Sequence, residues 1–129
     1  MPQSFCQVYA HLIFSTKNRE KSITAEIRPR VHAYLATLVP DMNAHYAVIG
    51  GVDDHVHLLY DLPKQCTPVA MVEHVKKESS KFVKQLGSPY HGFYWQRGYG
   101  MFSIGATQKD NAPSARRSTP RNRRVQRLC

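Results

Sequence analysis

The sequence is poor in cysteine, in acidic side chains and in long apolar runs. Its three cysteines, Cys6, Cys66 and Cys129, lie far apart and form no C-x-x-C pair, so the spacing predicts no zinc or redox motif and favours a reducing cytoplasm. No run of about eighteen apolar residues occurs, which argues against a transmembrane helix. The N-terminus lacks the charged start, apolar core and cleavage site of a signal peptide, so we expect a soluble cytoplasmic protein.

Acidic residues are outnumbered two to one. The chain has 18 Lys and Arg against 9 Asp and Glu, a formal charge of +9 and an isoelectric point of about 9.8. Residues 106–129 carry six Arg and one Lys against one Asp, a net +6, which leaves +3 for residues 1–105. Such an excess indicates a polyanionic partner, most simply nucleic acid.

The composition changes at about residue 105. Residues 106–129 hold two prolines, many Ser, Thr and Asn and no aromatic residue, so they cannot bury enough surface to order themselves. The sequence therefore predicts one folded domain over 1–105 and a disordered basic tail over 106–129. The whole chain of 129 residues is 42% hydrophobic, so it is long and apolar enough for one domain that encloses a core.

Hydrophobic periodicity predicts strands and helices in the order βαββαβ. Pro29 lies inside the first helical pattern, so that helix either kinks there or begins later than its candidate cap, Thr24. The predicted elements are a strand over 8–15, a helix from Thr24 to Leu38, a strand over 44–49, a turn over 50–54 that leads into the strand of His55 and His57, a helix from Thr67 to Gly87 and a strand over 94–104. This order is typical of a ferredoxin-like α+β fold, a two-layer sandwich with both helices on one face of an antiparallel sheet.

The second predicted helix has the clearest boundaries. Thr67 can cap its start, Pro68 suits the first helical position and Gly87 suits the stop. Its predicted apolar face comprises Val69, Val72, Val75, Ser79, Phe82 and Leu86.

Two histidines lie two residues apart in the third predicted strand. Side chains alternate along a strand, so His55, His57 and Leu59 share one face, while Val56, Leu58 and Tyr60 share the other. If the second trio faces the core, the imidazoles emerge side by side and offer two nitrogen ligands to a divalent metal, with Asp53 and Asp54 adding negative charge nearby. A polar strand face without metal is the alternative.

Several basic residues are candidates for binding DNA phosphates, although a solvated charged face would explain those on the helix equally well. The candidates are Lys17, Arg19, Lys76, Lys77, Lys81, Lys84 and Arg97. Aromatic residues of the last predicted strand could stack on unpaired bases if exposed, but we expect most of them in the core.

Four blocks resemble those of the single-tyrosine HUH transposases of insertion sequences and their REP-associated relatives, in the family's order over residues 3 to about 108. They are HLIFSTKNR at 11–19, VDDHVHLL at 52–59, VKKESSK at 75–81 and WQRGYGMFS at 95–103. The resemblance implies a bacterial DNA strand transferase that recognises hairpins in single-stranded DNA and often forms homodimers.

The resemblance also implies the chemistry. His55 and His57 would hold Mg²⁺ or Mn²⁺ on the scissile phosphate, and a tyrosine would attack phosphorus to leave a 5′-phosphotyrosine and a free 3′-OH, without a nucleotide cofactor.

The sequence departs from the family where the nucleophile belongs. The family's tyrosine follows the last strand, with a Gln four residues later, whereas this sequence has no Tyr after Tyr99, and Asn122 lies four residues before Gln126. No catalytic tyrosine can therefore be assigned. We interpret residues after about Gln108 as the product of a shifted reading frame or, alternatively, as a genuine DNA-binding tail. Two further functions stay open: a non-catalytic hairpin-binding module and an RNA-binding domain of the same topology.

Overall fold

The computed structural model describes residues 8–105, which form four strands and two longer helices in the predicted order. The elements are β1 (Val8–Ser15), α1 (Arg28–Leu38), β2 (Ala47–Gly51), β3 (His55–Asp61), α2 (Pro68–Lys84) and β4 (Gly100–Gly105). Short 3-10 turns lie at Lys17–Arg19, Pro40–Met42 and Ser88–Tyr90.

All four strands belong to one antiparallel sheet in the order β2-β3-β1-β4. The two central strands are therefore β3, which carries the histidines, and β1. In the register, His57 lies opposite Ile13 of β1 and Gly50 of β2. The topology confirms the prediction of a ferredoxin-like α+β sandwich.

The main core lies between the sheet and the two helices. Val56, Leu58 and Tyr60 of β3 are fully buried in it, as alternation predicts. Leu59 belongs to a separate small cluster with Tyr9 on the opposite face. The core is completed chiefly by Leu12 and Phe14 of β1, Val31 and Leu35 of α1, and Met71, Val75 and Val83 of α2.

Helix starts follow local rules of chain geometry. Helix α1 begins at Arg28, so Pro29 falls in its first turn, where no backbone hydrogen bond is lost. This is the later start that the sequence allowed. In α2, the Thr67 hydroxyl accepts a hydrogen bond from the backbone N–H of Ala70 over 3.1 Å, as predicted for its cap.

Three details differ from the sequence prediction. Val69 was predicted on the apolar face of α2 but is 52% exposed. Met71, which lies one helical turn before Val75, is buried in the core instead. The last strand begins at Gly100, and residues 94–99 form an irregular connection. Strand β2 spans Ala47–Gly51 rather than 44–49.

The predicted basic tail over 106–129 lies outside the described residues. Among residues 8–105, neither helix is both long and apolar enough to cross a bilayer.

Candidate functional site

A recess of about 440 Å³ opens beside the histidines of β3. We call it the His recess. Its polar lining comes from His55 and His57, from Arg19 after β1, and from Arg97 and Tyr99 before β4. Backbone and apolar parts of the lining are contributed by Ile13, Phe14, Ser15, Gly98 and Gly100.

The turn before β3 places its first histidine. Gly51 has a φ of +147°, a conformation that L side chains rarely adopt. A Cβ on Gly51 would also collide with the backbone carbonyl of His55. The glycine is therefore required for the close return of the chain into β3.

His55 is oriented by a carboxylate. Its Nδ1 lies 2.9 Å from Oδ1 of Asp54, while Oδ2 of Asp54 accepts from Nε of Arg19 over 3.3 Å. The hydrogen bond with His55 is the largest cause that lowers the pKa of Asp54, with Arg19 adding to it. Because Nδ1 is engaged, Nε2 of His55 is the nitrogen left for a ligand.

His57 is buried and paired with a third histidine. Its Nδ1 lies 3.2 Å from Nε2 of His11, and the two rings stack with centroids 5.3 Å apart. Desolvation is the main cause that lowers the pKa of His57 to about 4, and the neighbouring imidazoles, His11 foremost, add to it. The ring is therefore neutral at pH 7, the state in which a histidine binds metal.

The two imidazoles of β3 can serve as a pair of metal ligands. Their centroids are 5.0 Å apart and the rings meet edge to face. For Nε2 of His57 to carry the lone pair, its Nδ1–H must donate to Nε2 of His11, which fixes the tautomers of both rings. Among residues 8–105, no third His, Cys, Asp or Glu joins them in a group that could hold a metal. The site therefore fits a metal whose remaining ligands are water and substrate oxygen.

A family model described as "Transposase IS200 like" matches residues 4–113. The chain belongs to the IS200-like transposase family. Its fold is similar to that of a candidate transposase from Deinococcus radiodurans R1, with a TM-score of 0.66 and 19% identity over 86% of this chain and 88% of that one. It is also similar to a REP-associated tyrosine transposase bound to a REP hairpin, with a TM-score of 0.59 and 12% identity over 86% of this chain and 64% of that one. No curated protein sequence matches it significantly.

The predicted DNA-binding residues of this member of the IS200-like transposase family fall into different surroundings. Arg19 and Arg97 line the His recess, as described above. Lys77 is exposed on α2, and Lys81, also exposed, lies 3.7 Å from the carboxylate of Glu78. Lys17 and Lys84 both lie over the ring of Tyr94, with Nζ 5.9 Å and 4.1 Å from its centroid.

Lys76 differs from the other lysines of α2. Its ammonium donates to the carbonyls of Gln96, over 2.7 Å, and Gly98, over 2.8 Å. It also lies 5.5 Å from the centre of the Phe14 ring, and burial lowers its pKa. Lys76 therefore anchors the connection that carries Arg97 to the edge of the His recess.

Tyr60 and Tyr99 lie in different surroundings. Tyr60 is fully buried among core residues, on the face away from the histidines, and burial raises the pKa of its hydroxyl far above the usual range. Tyr99 is 44% exposed and lines the His recess, but its hydroxyl has no hydrogen-bond partner among residues 8–105. Neither side chain is held as a positioned nucleophile.

His11 is a part of the site that was not predicted from the sequence. His11 lies opposite Leu59 rather than opposite a histidine, so the contact with His57 runs diagonally across the sheet. The only sequence signal was its position in the first block of the resemblance.

Proposed function

We propose that this chain binds hairpin-forming single-stranded DNA as part of DNA transposition, with the scissile phosphate in the His recess. The supporting observation is the joint placement of the imidazoles of His55 and His57 and the guanidinium groups of Arg19 and Arg97 around one opening. The structurally similar REP-associated tyrosine transposase is bound to a REP hairpin, which supports a DNA hairpin as the ligand proposed for this chain. The proposal includes a homodimer and a cytoplasmic location.

Each side chain of the His recess has a distinct task in this proposal. Arg97 and Arg19 attract and orient phosphate oxygens, since guanidinium groups can donate two hydrogen bonds at once. His55 and His57 would hold Mg²⁺ or Mn²⁺ through Nε2, with Asp54 and His11 fixing their ring orientations. A bound divalent cation supplies charge neutralisation at the phosphate and activates an oxygen nucleophile.

We further propose that strand transfer is impaired in this sequence. Covalent transfer needs a hydroxyl held about 3 to 3.5 Å from phosphorus and in line with the leaving oxygen. No Tyr follows Tyr99 in the sequence, and Tyr99 itself is not held by a hydrogen bond among residues 8–105. Slow hydrolysis by water is the reaction that remains available.

The test compares a single-stranded DNA hairpin with a plain duplex of the same stem, first in binding and then in nicking with Mn²⁺. We expect tighter binding of the hairpin, and slow nicking that is lost in His57→Ala. His45→Ala is the matched control, because the side chain of His45 is 88% exposed and lies outside the His recess. Equal binding of hairpin and duplex would contradict the proposed recognition.

A second function, a non-catalytic hairpin-binding module, is favoured by the missing tyrosine. In that case the hairpin is still preferred over the duplex, and binding is unchanged by His57→Ala. No nicking appears with Mn²⁺ or Mg²⁺. The nicking assay therefore separates the two functions while the binding assay tests what they share.

A further inference from the structure

We propose that Tyr94 is a stacking platform for an unpaired DNA base next to the hairpin, and that Lys17, Lys84 and Arg97 neutralise the phosphates beside that base. The inference rests on the proposed function and adds to it a second contact site outside the His recess.

Tyr94 is turned outward by its two neighbours. Phe93 is buried, and Trp95 packs edge to face against both Phe93 and Phe14, with ring centroids 4.9 and 4.6 Å apart. Since side chains alternate in extended chain, anchoring 93 and 95 in the core places 94 on the surface. Tyr94 is 56% exposed, the largest value among the exposed large hydrophobic residues of 8–105.

The segment 94–98 is irregular, but it is tied to β1 and the residues that follow β1. The carbonyl of Tyr94 accepts from the backbone N–H of Lys17 over 2.9 Å, and the N–H of Gln96 donates to Ser15 over 2.8 Å. The side chain of Gln96 accepts from the N–H of Asn18 over 2.9 Å.

Helix α2 holds the same segment from the other side. The indole N–H of Trp95 donates to the hydroxyl of buried Ser79 over 3.0 Å, and Lys76 holds the carbonyls of Gln96 and Gly98. The ring of Tyr94 is therefore presented from a fixed backbone, which reduces the entropy that a ligand must overcome on binding.

The surroundings of the ring are basic. Lys84 is held nearby by a hydrogen bond of 2.7 Å to Ser80, and Lys17, Lys84 and Arg97 form no ion pair with a carboxylate among residues 8–105. A groove of about 270 Å³ runs along the ring. We call it the Tyr94 groove, and it is lined by Lys17, Tyr94, Trp95, Gln96 and Arg97. An exposed aromatic ring among unpaired cations matches the chemistry of a single-stranded nucleic acid.

The free energy of base stacking exceeds that of the cation–π contact that Lys84 now makes with the ring. A cation–π contact at an exposed site stabilises by about 0.5 to 1 kcal/mol. Stacking of a base on an aromatic side chain is worth about 1 to 3 kcal/mol. A base can therefore displace the ammonium of Lys84, which then lies close enough to pair with a phosphate.

Arg97 connects the two sites, since it lines both the Tyr94 groove and the His recess. A strand that follows this arginine passes from the stacked base to the proposed scissile phosphate without leaving a basic surface. The base in question therefore belongs to the single-stranded flank of the hairpin rather than to its stem.

The experiment uses two DNA hairpins with one stem-loop, one blunt and one with a single-stranded flank containing 2-aminopurine. Versions with the flank on the 5′ and on the 3′ side are tested separately. We expect the wild-type chain to bind one flanked version about fivefold to 100-fold more tightly than the blunt hairpin, and to quench 2-aminopurine fluorescence. Tyr94→Phe retains both effects, whereas Tyr94→Leu loses both and binds the blunt hairpin as the wild type does.

The outcomes separate this inference from the proposed function. If the blunt hairpin is bound no better than duplex, the proposed function fails. If the hairpin is preferred but neither flank adds affinity or is quenched by the wild-type chain, the stacking platform alone is wrong. An equal flank advantage in Tyr94→Leu and the wild type would also reject it. The quenching measurement on the wild-type chain needs no variant, so it decides the question even if a substitution disturbs folding.

Discussion

Nδ1 of His57 lies 3.2 Å from Nε2 of His11, and this contact joins the two central strands beside the His recess. The hydrogen bond occupies Nδ1 of His57, the nitrogen that faces His11. Only Nε2 is then available to a ligand in the recess, so under the proposed function His11 would act on the site by selecting the tautomer of His57.

His11→Phe should weaken Mn²⁺ binding about 10-fold to 100-fold, the range expected when the supporting partner of a ligating histidine is removed. Phenylalanine keeps the stacking and most of the volume but cannot accept from Nδ1 of His57. Titration calorimetry in the presence of hairpin DNA measures the effect. His45→Phe serves as the control at an exposed histidine, and equal Mn²⁺ affinity in His11→Phe and the wild type would show that the pair does not support a metal site.

Stability should fall as the pH drops from about 6.5 to 4. The pKa of His57 is about 4 in the folded chain and about 6.5 when unfolded, so the unfolded state binds more protons in this window. The stabilising contribution is complete above pH 6.5 and is lost through the window, with a maximum of about 3 kcal/mol. Urea unfolding at several pH values measures it.

Two comparisons isolate the contribution of His57 to that pH dependence. His57→Gln should reduce the slope between pH 6.5 and 4, and His32→Gln should reduce it less, because burial and Arg28 also lower the pKa of His32. Asp54, whose pKa is lowered, loses its contribution only below about pH 4, outside this window. An unchanged slope in His57→Gln would mean that another group is responsible.

Lys76→Met should lower the free energy of unfolding by about 2 kcal/mol, because the carbonyls of Gln96 and Gly98 lose a charged donor. Lys77→Met, at the exposed neighbouring position, should change it by less than about 0.5 kcal/mol. The salt dependence of DNA affinity should distinguish the same two variants in the reverse order. Lys77→Met reduces the salt dependence of affinity if Lys77 contacts phosphate, whereas Lys76→Met weakens affinity with little change in that slope. Equal stability of the two variants would contradict the anchoring role.

No protein–DNA adduct resistant to denaturation should form when the chain is incubated with a hairpin substrate and Mn²⁺. Hydrolysis by water leaves no covalent link, and residues 100–129 contain no tyrosine. A version translated in the alternative frame after about codon 108, if that frame encodes a helix with Tyr and a Gln four residues later, should form the adduct. An adduct from the present sequence, mapped by peptide sequencing to Tyr99, would overturn the proposed impairment.

Features that depend only on neighbouring residues could be predicted from the sequence. Alternation along one strand was enough to separate His55 and His57 from the buried Tyr60, and the cap of α2 at Thr67 needed only neighbouring residues. These features are fixed by the geometry of consecutive residues. The topology then followed from the order of the elements.

Contacts between distant segments were not predictable in the same way. The role of His11 depends on the register between β1 and β3, which no local pattern specifies. The sequence could not distinguish Lys76 from Lys77. The hydrogen-bond partners of Lys76 are backbone carbonyls, and every residue type has one. Tyr94 was assigned to a regular strand, whereas packing of Phe93 and Trp95 determines its exposure.

The contact between His11 and His57 spans 46 positions of the sequence. Loop closure of that length must occur before the two rings can meet, and pairing of β1 with β3 is the step that brings it about. A folding intermediate that lacks this strand pair would expose His55 and His57 without the tautomer that ligation requires. Metal capture should consequently appear late in refolding, together with the native β-sheet, so the rate of Mn²⁺ uptake would report formation of the central strand pair.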